Sequence, residues 1–287
     1  MKNQHLKHLF ELNIAMVFIS TSGVLGRYIS MSPPLTIWWR SAITVVCLGL
    51  FIWYKKLNFK VSSKRDLKTI IISGFFMGAH WVTYFYALKL SNVAIGMLAM
   101  FTYPIITVFL EPFFFKTKLN VKHVFLGILV LIGIYFLTPE FKIENNFTQG
   151  ILFGIASAVF YAIRNILMKK KTAQYNGSVL MFYQMAVITA LLWPVLFIFD
   201  ESPLATDWFA LGALAIFTTA VGHTLFVVSM KYFSIGTASI ISSIQPIYGI
   251  IFGMLFLGEF PASKTIIGGV LILSTVVIES YHSNKNK

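Results

Sequence analysis

The stretch FTYPIITVFL, residues 101–110, sets a proline at the centre of an oily run. Proline lacks the backbone N–H and breaks or kinks a helix. SIQPIYGIIF, residues 243–252, does the same with Pro246, 142 residues after Pro104. Sliding the chain on itself by that interval pairs Lys89 with Lys231, Phe114 with Phe256, Lys122 with Lys264 and Gly127 with Gly269. The same shift sets Val17 and Phe18 against Val159 and Phe160. One register through a proline, a glycine and two lysines reads as an internal repeat. Only the second helix of each half needs a slip, to 144, where WWRSA (38–42) faces FYQMA (182–186).

Composition decides the solvent. The 287 residues are 57% hydrophobic and 11% charged, with a mean hydropathy of +0.78. A water-soluble domain of this size needs far more polar surface. Ten apolar runs, near 9–30, 34–54, 67–89, 91–115, 121–138, 148–168, 177–199, 206–230, 236–258 and 262–280, each approach the length of a bilayer crossing. Continuous rather than alternating apolarity means helices, not barrel strands. The expected fold is an all-α integral membrane protein. The first run is too long for a cleavable signal and lacks a small-residue cleavage site. The single cysteine, Cys47, excludes an intramolecular disulfide.

The net charge of +13 is a topology signal. Seventeen lysines and arginines, including Lys55, Lys56, Lys60, Lys64, Arg65 and Lys169 to Lys171, fall at one face of a ten-helix arrangement. The other face holds only Arg27, Lys89, Lys142 and Lys264, with most of the acids. The positive-inside rule therefore puts both termini in the cytoplasm. Anionic lipid of the bilayer accounts for the residual attraction, and nothing further points to nucleic acid.

Five crossings per repeat is an odd number, so the second half enters the membrane from the opposite side. The expectation is ten transmembrane helices in two inverted-topology five-helix repeats, 8–140 and 147–281. Such halves rock to expose a midplane site alternately to each side, the architecture of many secondary transporters. Pro104 and Pro246 are then helix breaks at equivalent places. Their freed carbonyls, at Met100 and Ser242, need either a polar cavity or a packing partner.

The segment QPIYGIIFGMLFLGEFPASKTIIGGVLILSTVVI (245–278) resembles the end of the EamA-type repeat of the drug/metabolite transporter (DMT) superfamily. YPIITVFLEPFFFKTKLNVKHVFLGILVLIGIYFL (103–137) looks like the first copy, with FFFKT in place of LFLGE and Glu111 earlier. The resemblance implies a transporter of small organic metabolites such as amino acids, often an exporter, in a bacterial inner membrane. It implies no enzyme and no cofactor. The residues agree: no hydrolase-like triad, P-loop or paired midplane carboxylates are present. An integral-membrane enzyme or a channel is the alternative.

Ionisable groups at membrane depth are expensive and mark function by default. His80 and Tyr84 share one face of the third run, with Trp81 beside them. They line a cavity for an organic solute or, as the plainer reading, glue helices together. His223 is the partial echo, without His80's aromatic neighbours in sequence. No carboxylate or cysteine cluster completes a metal site with the two histidines. Arg40 either holds a carboxylate or phosphate on the solute, snorkels to the interface, or pairs with Glu201 or Glu259. Arg164, beside the KKK run, reads as snorkelling, with Tyr161 one turn deeper. Glu111 either carries a coupling proton or pairs with lysines. Tyr103 and Gln245 precede the two prolines and are expected in the cavity. Ser239, Ser242, Ser243 and Gly249 form a small-residue stripe for close packing. Gly127, Gly133, Gly268 and Gly269 suit packing between helices or between the subunits of a homodimer.

Overall fold

The computed structural model describes residues 2–115, 121–137, 142–169, 171–201, 203, 205–229 and 242–285. Lys231, Ser239 and the repeat boundary at 140 lie outside the described residues. Within them, all regular structure is helical. The helices are α1 Lys2–Tyr28, α2 Pro33–Tyr54, α3 Lys64–Leu90, α4 Val93–Met100, α5 Tyr103–Phe115, α6 Val121–Leu137 and α7 Asn146–Met168. There follow α8 Gly177–Leu192, α9 Val195–Ile198, α10 Ala205–Ala213, a π-helical segment Leu214–His223, α11 Thr224–Ser229, α12 Gln245–Leu257 and α13 Ser263–Lys285.

Among the described residues, six stretches are long and apolar enough to cross a bilayer: Pro33–Tyr54, Lys64–Leu90, Val93–Phe114, Asn146–Met168, Gly177–Ile198 and Asp207–Val228. Val124–Leu137, Gln245–Leu257 and Ser263–Ile278 are shorter apolar helices. Polar caps fix where the spans begin. Ser63 Oγ accepts from Asp66 N, and Asn92 Oδ1 accepts from Ile95 N. Asn145 and Asn176 cap α7 and α8 in the same way. Each cap satisfies a backbone donor that the first helical turn leaves open.

The run 91–115 is two helices, not one. Phe101 and Thr102 form a turn, and Pro104 falls at the second position of α5. Thr102 Oγ1 donates to the carbonyl of Ala99. Pro246 holds the matching second position of α12. A third break, at Trp193 and Pro194, separates α8 from α9. Gly258 ends α12 with a left-handed φ of 66°, a conformation glycine adopts without a Cβ clash.

Helix packing follows an exchange pattern. α3 lies along α7, and the π segment lies along α1. α4 and α5 pack on α7, and α12 packs on α1. α2 meets α8, α4 meets α12, and α6 meets α13. Under the 142-residue register the α3–α7 contact exchanges with that of the π segment and α1, α5–α7 exchanges with α12–α1, and α6–α13 maps onto itself; the counterpart of α4, near 235–242, falls almost wholly outside the described residues.

Small residues set the closest approaches. A Cβ at Gly154 of α7 would stand 2.5 Å from Ala99 Cβ on α4. A Cβ at Gly268 would stand 2.6 Å from Gly133 O, which locks α13 to α6. Gly127 packs on Phe109 and Gly269 on Leu98. All four glycines expected to serve packing therefore meet neighbours within the chain.

Candidate functional site

His80 lies in the middle of α3, 3% exposed. Ser157 of α7 holds it. Ser157 Oγ donates to His80 O at 3.0 Å, and His80 Nδ1 lies 2.7 Å from that Oγ and 3.2 Å from Ser157 O. A carbonyl only accepts, so Nδ1 carries a proton; in the neutral ring Nε2 is then the acceptor. The imidazole stacks on Tyr161 of α7 at 4.4 Å between centroids and on Tyr84 at 6.1 Å. Tyr103 meets Tyr161 edge-on at 4.8 Å.

Trp81 stands edge-on to His223 at 5.5 Å. His223 thus gains from α3 the aromatic neighbour that its own sequence lacks. Gln245 Nε2 donates to Met16 Sδ at 3.0 Å, and Ser20 Oγ lies 3.1 Å from Gln245 O. Both contacts tie α12 to α1.

These groups enclose one cavity. Its wall includes His80, Trp81, Tyr84, Tyr103, Tyr161, His223 and Gln245, all seven expected from sequence. Ile19, Ser22, Met97, Met100 and Phe101 complete it. Both sequence halves contribute. The cavity's volume is about 20 Å³, enough for the centre of roughly one water molecule.

Arg40 departs from expectation. It is not on the cavity wall, and it neither snorkels nor pairs with Glu201 or Glu259. It is fully buried, with its guanidinium 3.7 Å above the Trp81 ring and Nε donating to Thr219 Oγ1 at 2.7 Å. Trp81, not solvent, receives the charge. Glu201 instead accepts from Ser32 N. Arg164 is also buried rather than snorkelling. It donates to Gln184 Oε1 at 2.9 Å and Asn165 Oδ1 at 3.0 Å. Those neutral acceptors draw it inward, away from the lysine run.

Both ends of the bundle are closed by bonds between the sequence halves. At one end Arg27 Nε meets Glu259 Oε1 at 2.9 Å, Val93 N donates to Glu259 Oε2, and Ser30 donates to Asp207. At the other end Asp66 accepts from Lys171 and from Tyr175 Oη, and Glu111 Oε1 meets Lys169 Nζ at 3.3 Å. A second, larger groove of about 700 Å³ opens between α1, α10 and α12. Its wall of Phe18, Val24, Leu25, Phe217 and Phe252 is apolar and suits hydrocarbon rather than a polar solute.

Helices fit to span a bilayer, packed around a polar and aromatic cavity, define a multi-pass membrane protein. Comparison with known proteins gives its kinship. The EamA-like transporter family matches residues 9–138 and again 148–281, and the chain belongs to that family. The uncharacterized transporter YxxF of Bacillus subtilis is 25% identical over 281 residues, 94% of this chain and 88% of that protein. The pseudopaline exporter CntI of Pseudomonas aeruginosa is 22% identical over 212 residues, 74% of each chain. The S-adenosylmethionine uptake transporter of Rickettsia conorii is 23% identical over 248 residues, 84% of this chain and 80% of that one. Those two names describe opposite directions, so kinship leaves direction open. The chain is a transporter in a membrane and not an enzyme.

Proposed function

We propose that the chain is a secondary transporter that carries small organic metabolites such as amino acids by alternating access around the His80 cavity. The observation that carries this reading is the chamber itself. Polar and aromatic side chains from both halves surround it, and cross-half bonds close it at both ends. A chamber of about 20 Å³ is too small for a metabolite, so loading requires the halves to part on one side at a time. The exchange pattern of helix contacts supports ten crossings in two inverted repeats, near 8–140 and 147–281. The lysine asymmetry supports cytoplasmic termini in a bacterial inner membrane.

The test is metabolite flux in proteoliposomes of known protein orientation, which also reads direction. Solute-dependent countertransport is expected. A steady ungated leak would instead make the protein a channel. Topology is read in intact cells by impermeant thiol labelling, with Cys47 replaced. Asn145→Cys should label and Lys60→Cys should not; the reverse would invert the orientation.

A further inference from the structure

Only three charged side chains are nearly or fully buried among the described residues: Arg40, Arg164 and Asp207. Asp207 lies at the bundle end and accepts from Ser30 N and Oγ. Arg164 donates to neutral acceptors, Gln184, Asn165 and Met181. Arg40 is more extreme. Its Nη1 and Nη2 are buried with no hydrogen-bond partner, and only Nε is satisfied, by Thr219. Arginine does not shed its proton to escape such a place. Stacking on Trp81 compensates only part of the desolvation. Arg40 stacks on Trp81, and Arg164 lies one turn along α7 from Tyr161; both rings border the chamber. The heart of the bundle therefore holds two positive charges and, among the described residues, no buried acid beside them.

Resting on the transporter reading, we propose that the solute is an organic oxyanion, whose carboxylate or phosphoryl group is gripped by the open Nη1 and Nη2 fork of Arg40. Two parallel N–H donors match two oxygens of such a group. Arg164 adds a second positive charge from the opposite half. His80, Tyr161 and Trp81 offer ring faces to the solute's body. Arg40 is one ring removed from the closed chamber, so the grip forms as the chamber widens and Trp81 gives way.

Full-length protein in detergent is mixed, at matched ionic strength, with succinate, L-glutamate or glycerol 3-phosphate. Succinamide and glycerol serve as uncharged counterparts. Thermal stability and tryptophan fluorescence are followed. At least one acid should respond, its uncharged counterpart should not, and carboxylate and phosphate arms identify the head group. Arg40→Lys should weaken that response about tenfold, because an ammonium cannot form the fork. Arg40→Met should abolish it, yet leave the ligand-free melting temperature unchanged or higher, since an unpaired buried charge has gone.

A purely structural Arg40 gives the opposite pattern, with lower ligand-free stability and an intact response to acids. That result would overturn the proposal, as would no response to any of the acids. Acids that bind but are not carried in proteoliposomes would sink the transporter reading and leave the anion site standing. Carriage of uncharged solutes alone would do the reverse.

Discussion

Replacing His80 with asparagine is expected to cut solute flux by about tenfold or more while leaving the melting temperature within about 4 °C of wild type. The asparagine amide can take the place of Nδ1 and keep the bonds to Ser157. It has nothing at the place of Nε2. His80→Gln tests the converse. Its amide reaches toward the Nε2 position and abandons Ser157, whose hydroxyl keeps its bond to the backbone carbonyl of residue 80 but loses the Nδ1 contact, at a cost of roughly 1 kcal/mol. Glutamine should therefore melt a few degrees lower and retain more flux than asparagine. The two variants separate a chamber role from a purely structural one. Flux and melting are measured on the same preparations. Wild-type flux in His80→Asn would remove the imidazole from the transport site.

Gly154→Ala is expected to lower the melting temperature by about 3–10 °C, the effect of roughly 1–3 kcal/mol of overpacking in a chain of this size. The new methyl would stand 2.5 Å from Ala99 Cβ, whereas unstrained carbons meet at about 3.5–4 Å. Neither methyl has a rotamer to turn, so α7 and α4 must separate. Ala99 adjoins Met100, which borders the chamber, and flux should fall with stability. Ala99→Gly in the same chain empties the contested space. The double variant should recover most of the lost stability, less the cost of one more glycine in a helix. No recovery would mean that the strain lies elsewhere.

Much of this arrangement was legible because membrane chemistry penalises polarity. His80, Tyr84, Tyr103 and Gln245 stand out in an oily chain, and all four border the chamber. Pro104 and Pro246 announce their breaks through a missing donor. What was not legible depends on contacts between distant elements. Ser157 reads as an ordinary small packing residue until α7 lies against α3, 77 residues away in sequence. Arg164 looks like a member of the lysine run, and only Gln184 on the next helix explains its burial. The π segment carries no proline, and its one glycine, Gly222, falls next to its end. Its supports are tertiary, from Thr44 to Ala215 O and from Arg40 to Thr219. The contribution of α1, through Ile19 and Ser22, was hidden because their side chains have no chemistry unusual for a membrane helix.

The tightness of the chamber bears on the membrane as an insulator. Protons cross proteins along files of touching water molecules, and a space of about 20 Å³ admits no file. Among the described residues, the ion pairs of Arg27 with Glu259 and of Asp66 with Lys171 join the two halves at the ends of the bundle. A bilayer holding 100 mV stores about 2.3 kcal/mol for each elementary charge that would cross it. A leak through an idle carrier would drain that voltage without useful work.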